Sequence, residues 1–245
     1  MTLFKSDLHA LMVIQLTLFP ALWFFIPAAT WRDVAIVAAF TWLYSCIGHH
    51  VVLHRYFTHS QFALSRWKVR LLLFVSLFAG LGGPVSYVAT HLIHHRYADT
   101  DKDLHGPHLG WASVFYSFRK RPQQVRSRQL LELYKRFGFV DQYYMLILIL
   151  VISVVASLAP WAALTMIVLP MCLSNWIGAI EVQTQHWGGE GANNFGYFLS
   201  FGAIEGLHKN HHAKPGQLNC ATQWFQLDWV CLFANLLKSA EKPKG

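Results

Sequence analysis

ALMVIQLTLFPALWFFIPAATWRDVAIVAAFTWLYSCIGHHVVL, Ala10 to Leu53, is the stretch that decides the fold. Two apolar runs, about 10–29 and 34–53, are separated only by Thr30-Trp31-Arg32-Asp33. Each is close to the roughly 20 residues that carry a helix across the hydrocarbon core. With so short a link they form a tight helical hairpin. A second hairpin is expected from about 144–158 and 161–180, turning at Ala159–Pro160. Between the hairpins, Leu71 to Ala89 is apolar but broken by Gly80, Gly82, Gly83 and Pro84. Such breaks fit an interfacial or re-entrant segment.

Composition agrees with a chain whose main solvent is lipid. Of 245 residues, 54% are hydrophobic and 13% charged, and mean hydropathy is +0.33. A soluble domain carries about 25% charged residues. The length predicts one domain over residues 1–245. The N-terminal run, with no small-residue cleavage site before it, reads as a retained anchor. The net charge of +8 is spread beside apolar runs and suits anionic headgroups. With no zinc-finger spacing or basic helix, a nucleic-acid partner is excluded. Four spans leave Arg32 as the only one of 20 Lys and Arg residues on the outer side. The positive-inside bias then puts both termini in the cytoplasm. The cysteines, Cys46, Cys172, Cys220 and Cys231, have no CxxC pairing and predict neither a disulfide framework nor a thiolate site.

Histidine is the residue used out of proportion. There are 14, and eight lie in three groups: His54 and His59 in HRYFTH, His91, His94 and His95 in HLIHH, His208, His211 and His212 in HKNHH. In HxxHH, positions i, i+3 and i+4 share one helical face, so each such group can present three imidazoles to one point. Residues five apart do not align on an ideal helix, so His59 is expected to turn back from the segment after His54. His50, one turn before His54, is a rival ligand or a polar residue packed one turn deeper. Crowded histidines repel when protonated and leave unpartnered groups when neutral; a divalent metal removes both problems. So many ligands overfill one four-coordinate zinc site and suit two six-coordinate redox irons. Asp99, Asp101 and Asp103, just past the second group, are candidates to orient imidazole N–H groups.

These groups resemble the three histidine boxes of the membrane fatty acid desaturases, particularly the acyl-CoA type and its short bacterial relatives. RYADTDKDLH (Arg96–His105), HLGW (His108–Trp111), NHHAKP (Asn210–Pro215) and QWFQLD (Gln223–Asp228) follow the family's flanking pattern. The resemblance covers about Gly48 to Leu237. It implies an all-α integral membrane fold: four transmembrane helices in two hairpins, with a cytoplasmic helical cap that carries a histidine-rich di-metal site. It also implies two Fe2+ ions, with O2 as co-substrate, and a ninth histidine ligand, His186 in EVQTQHWGG. Where the family has an asparagine four residues before that histidine, this chain has Val182, and Gln183 or Gln185 is the candidate substitute. His105, His108, Trp111 and Asn210 are candidates for supporting the ligands or contacting substrate. The implied substrate is an acyl chain on CoA, acyl-carrier protein or lipid, and the implied electron donor an external ferredoxin or cytochrome b5. A basic cytoplasmic surface including Arg119, Lys120 and Arg121 would steer an acidic carrier. The reaction implied is oxygen-dependent desaturation. A lipid, carotenoid or alkane hydroxylase or ketolase on the same scaffold is the alternative. A non-catalytic metal-binding membrane protein would instead spread histidines and acids at depth within its spans.

Overall fold

The computed structural model describes residues 5–103, 127–187 and 191–239, with the backbone alone for residues 5–10. His105, His108, Trp111 and the basic run Arg119-Lys120-Arg121 lie outside the described residues. All regular elements among those described are helical.

Helix α1, Lys5–Phe25, stops short of the expected end near residue 29. Pro27, which has no N–H to continue the ladder, sits in the turn that follows. Helix α2 begins at Trp31 with a reciprocal capping box: Thr30 accepts from the Asp33 N–H and Asp33 from the Thr30 N–H. Asp33 also accepts from the Trp161 indole at 2.8 Å. That bond ties the α1–α2 turn to the turn that opens the last long helix.

From Trp31–Trp42, α2 continues without interruption through Leu43–Thr58 in a wider, π-helical winding. The whole helix is 28 residues long, longer than the expected 34–53. Helix α3 covers Arg66–Leu77 and α4 covers Pro84–Tyr97, so the apolar run at 71–89 is two helices joined by a turn. Gly80 and Gly82 have φ of 74° and 88° there, a region that L side chains avoid. The turn is buried in protein: Gly80 O accepts from Asn175 and Leu77 O from the Tyr144 hydroxyl. Helix α3 crosses α2 at Gly48, where an added Cβ would stand 3.2 Å from Ser76 Cα.

Helices α5 (Arg128–Gln142) and α6 (Tyr144–Leu158) are bent by 51° at their junction. Helix α7 runs Pro160–Gln185, with a wide turn at Ala163–Val168. Two short helices follow among the described residues, α8 (His208–Ala213) and α9 (Trp229–Leu237). Among the described residues α2 and α7 are each long and apolar enough to cross a membrane. The bent α5–α6 pair is a third span if counted as one, and the apolar part of α1, Leu11–Phe25, is shorter. Leu16, Phe19, Trp23 and Phe24 on α1, and Ile149, Leu150, Val154 and Leu158 on α6, are exposed. A belt of that kind is what a bilayer covers. Because Asp33 and Trp161 join the starts of α2 and α7, both helices run the same way and deliver their C-terminal ends side by side.

Candidate metal centre

Both long helices end in histidine: His54 and His59 on and just past α2, His186 just past α7. Helices α4 and α8 bring the two HxxHH groups to the same place. The nine rings sort into two sets whose ligand atoms lie within 4.8 Å of one another, His54, His59, His91, His95 and His211 in one, His94, His186, His208 and His212 in the other.

The sorting differs from the expected one. Each HxxHH group does not aim three rings at one point. On α4 the i, i+4 pair His91 and His95 joins the first set and His94 the second; on α8 the pair His208 and His212 joins the second and His211 the first. Each short helix therefore lies along the seam between the sets and serves both. The first box is also resolved differently. His59 does not turn back from a later segment; it caps the wide stretch of α2, its N–H donating to His54 O at 3.2 Å. A winding that bonds i to i+5 sets residues five apart nearly above one another, and His54 and His59 thereby face the same set.

The ring nitrogens that meet are all Nε2. His54 to His211 is 2.9 Å, His211 to His59 and to His95 3.2 Å, and His95 to His91 3.0 Å. In the second set His94 to His186 is 3.1 Å, His186 to His208 2.9 Å and His212 to His208 3.0 Å. On the far side of several rings, Nδ1 meets a carboxylate. His94 Nδ1 is 2.9 Å from Asp103, His186 Nδ1 3.0 Å from Asp99 and His54 Nδ1 3.2 Å from Glu205. A carboxylate can only accept, so Nδ1 carries the proton and Nε2 presents its lone pair inward. In the His94–His186 pair both rings are held that way, and lone pair faces lone pair at 3.1 Å. A cation between the rings relieves that opposition, so this donor set fits metal ions.

Electrostatics keeps the lone pairs available. Burial, reinforced by neighbouring imidazoles, holds His208 and His211 well below the usual histidine range. It pushes His59 down to about 2 and His95 to about 4. Burial lowers His186 as well, although Asp99 opposes it.

The remaining residues expected near the site divide. Asp99, at φ of 62° directly after α4, turns back to His186, and Asp103 reaches His94; Asp101 is exposed. Gln185 is buried and donates to Glu205 O at 2.9 Å, and Gln183 is buried; neither belongs to a histidine set. Asn210 braces loops, donating to Cys220 O and accepting from Asn194. His50 joins neither set; its Nε2 lies 3.1 Å from Ala203 O.

Sequence reasoning missed Glu205 and its neighbours. Glu205 accepts from Arg55 Nε and Nη2 at 2.8 and 2.5 Å while it holds His54. Asp228 shares Arg55 at 3.2 Å and accepts the backbone N–H groups of Cys220 and Cys231. A signal was available: an acid alone in an apolar run, as in FGAIEGL and WIGAIEVQ, is conspicuous in a chain with 12 acids.

A profile of the family described as fatty acid desaturase matches residues 28–229. The chain belongs to that family. It is an oxidoreductase that introduces double bonds into acyl chains. The desaturase is similar to the sn-1 stearoyl-lipid 9-desaturase of Anabaena variabilis, 26% identical over 89% of this chain and 85% of that one. It is also similar to the sn-2 palmitoyl-lipid 9-desaturase of Nostoc sp. (strain 36), 24% identical over 89% and 81%. The acyl-CoA C20 Delta5-desaturase of Anemone leveillei is 26% identical over 85% and 72%.

Proposed function

We propose that the nine histidines of the two sets hold two iron ions, and that the chain is an oxygen-dependent desaturase of an acyl chain carried on lipid or CoA. The observation that supports this most is the meeting of Nε2 atoms from α2, α4, α7 and α8 at 2.9–3.2 Å, with carboxylates behind three of the rings. Bound iron would supply, with O2, the oxidising power to take two hydrogens from adjacent methylenes.

The protein's own part is positional. Asp103, Asp99 and Glu205 fix the tautomers of His94, His186 and His54. The buried setting keeps water from the reacting carbons. We further propose a single domain with four spans in two hairpins, α1 with α2 and α6 with α7, and with both termini and the histidine centre on the cytoplasmic side. Electrons then come from an external carrier such as ferredoxin or cytochrome b5.

Expression in a desaturase-deficient host, with fatty acid profiling and double-bond localisation, tests this reading. A product lighter by two hydrogens is expected; one heavier by an oxygen would make the chain a hydroxylase. His94→Ala and His211→Ala should each abolish product and lower iron content, and wild-type activity in either removes that residue from the ligand set.

A further inference from the structure

One turn deeper than His54, α2 and α7 enclose a further cluster, adjoining the first set through His50, whose ligand atom also lies within 4.8 Å of those of His54 and Glu205. His49 and His50 on α2 and Glu181 on α7 bring ligand atoms within 4.8 Å of one another, and their exposures are 8%, 1% and 6%. His50 Nε2 lies 3.3 Å from Glu181 Oε2, and the two imidazole centroids are 4.0 Å apart. None of the three belongs to the histidine sets above.

Packing alone leaves this cluster incomplete. Among the described residues His50 Nδ1 is buried without a hydrogen-bond partner and Glu181 Oε2 accepts no hydrogen bond, its neighbour at 3.3 Å being His50 Nε2, and buried polar atoms are seldom left so. Charge is incomplete as well. The buried guanidinium of Arg55 is already divided between Glu205 and Asp228. Glu181 receives neutral dipoles, the Glu205 N–H at 2.6 Å and a side-chain hydrogen bond from Gln185. A carboxylate at such depth, beside two imidazoles and with no cation of its own among the described residues, calls for a positive charge.

We infer that His49, His50 and Glu181 form a further site for a divalent transition-metal ion, two imidazoles and one carboxylate joining α2 to α7. That donor set suits Fe2+ or Zn2+ and leaves coordination positions open. The inference does not depend on what the nine histidines hold. Its structural consequence is a bond across the two longest helices beneath the centre, so removing the ion should loosen that junction.

The test uses the full chain purified in detergent, stripped with a chelator and reloaded with Fe2+ or with Zn2+. Metal per chain is then measured. Wild type should hold about one equivalent more than Glu181→Gln or His50→Gln, and His94→Ala should lose metal while retaining that equivalent. Equal content in wild type and both glutamine variants overturns the inference. Should the variants not fold, anomalous diffraction from wild-type crystals decides. A peak among the three side chains at the iron or zinc edge supports the site, and none, or a water without anomalous signal, overturns it. Unchanged metal content in His94→Ala and His211→Ala would instead count against the nine-histidine reading and leave these arms intact.

Discussion

Glu205 Oε2 lies 3.2 Å from His54 Nδ1, and the same carboxylate grips Arg55 through two nitrogens. One buried acid thus orients a ring of the first histidine set and neutralises a cation in the protein interior. Glu205→Gln keeps the shape and removes the charge, leaving Arg55 with Asp228 alone. Breaking a buried ion pair from one side costs about 3–5 kcal/mol. The variant should unfold roughly 6–20 °C below wild type in detergent, at about 2–4 °C per kcal/mol for a chain of this size. It should also lose metal more readily. A melting temperature within about 2 °C of wild type would mean that Glu205 does not neutralise Arg55 as described.

The carboxylates behind the second set should be graded by their burial. Asp103, 1% exposed, stands behind His94, and the Asp99 side chain, 14% exposed, behind His186. Loss of such a partner typically weakens metal binding about 10–100-fold. Asp103→Asn is expected at the upper end, Asp99→Asn at the lower end, and exposed Asp101→Asn within about threefold of wild type. Chelator competition measures all three, and a loss in Asp101→Asn equal to that in Asp103→Asn would refute the grading.

Legibility in the sequence followed the range of the interactions involved. The apolar runs set helix type, and the three boxes, with His186 taken from the family resemblance, name the nine rings that converge. How they partition was hidden: i, i+3, i+4 spacing says the rings share a face, but a helix lying along a seam divides that face between two sets. The π winding of α2 was hidden too, since periodicity assumes 3.6 residues per turn and misaligns His54 with His59. Glu205, Arg55 and Asp228 pair across 150 and 173 residues of chain, a separation no local pattern reports.

Helix α4 carries His91, His94 and His95, and its start is held from another helix. The Asp141 carboxylate, on α5, accepts the Val85 and Ser86 N–H groups at 3.0 and 2.7 Å and the Ser86 hydroxyl at 2.8 Å. It therefore acts as an N-cap borrowed from a neighbouring helix. Loss of a cap costs about 0.5–2 kcal/mol, and a buried donor left without water to replace the carboxylate costs about 1–3 kcal/mol. Asp141→Ala should lower thermal stability accordingly and reduce metal retention, although no histidine has been touched. Asp141→Asn, which can still accept one or two of these bonds, should fall between. Unchanged metal retention in Asp141→Ala would show that α4 is held in place by its other contacts.

Stability of the metal-free protein should depend on pH in a direction set by the depressed histidines. Burial comes first among the causes, then the repulsion of neighbouring imidazoles, joined at His59 and His211 by the Arg55 guanidinium. The unfolded chain takes up protons on these rings near pH 6.5, whereas the folded protein resists until about 4 at His95 and about 2 at His59. Between those limits the unfolded state binds more protons, so stability is lost as pH falls and is fully present above about 6.5. Each such ring contributes a slope of roughly 1.4 kcal/mol per pH unit inside its window. Melting of the stripped protein should be flat above about pH 7 and fall steadily from about 6.5 to about 5, before carboxylates titrate. In the loaded protein protons compete with metal for the same lone pairs, so metal release should begin in that interval. A melting temperature that holds steady or rises as pH drops across it would mean that the rings are not the buried, neutral bases on which the metal centre depends.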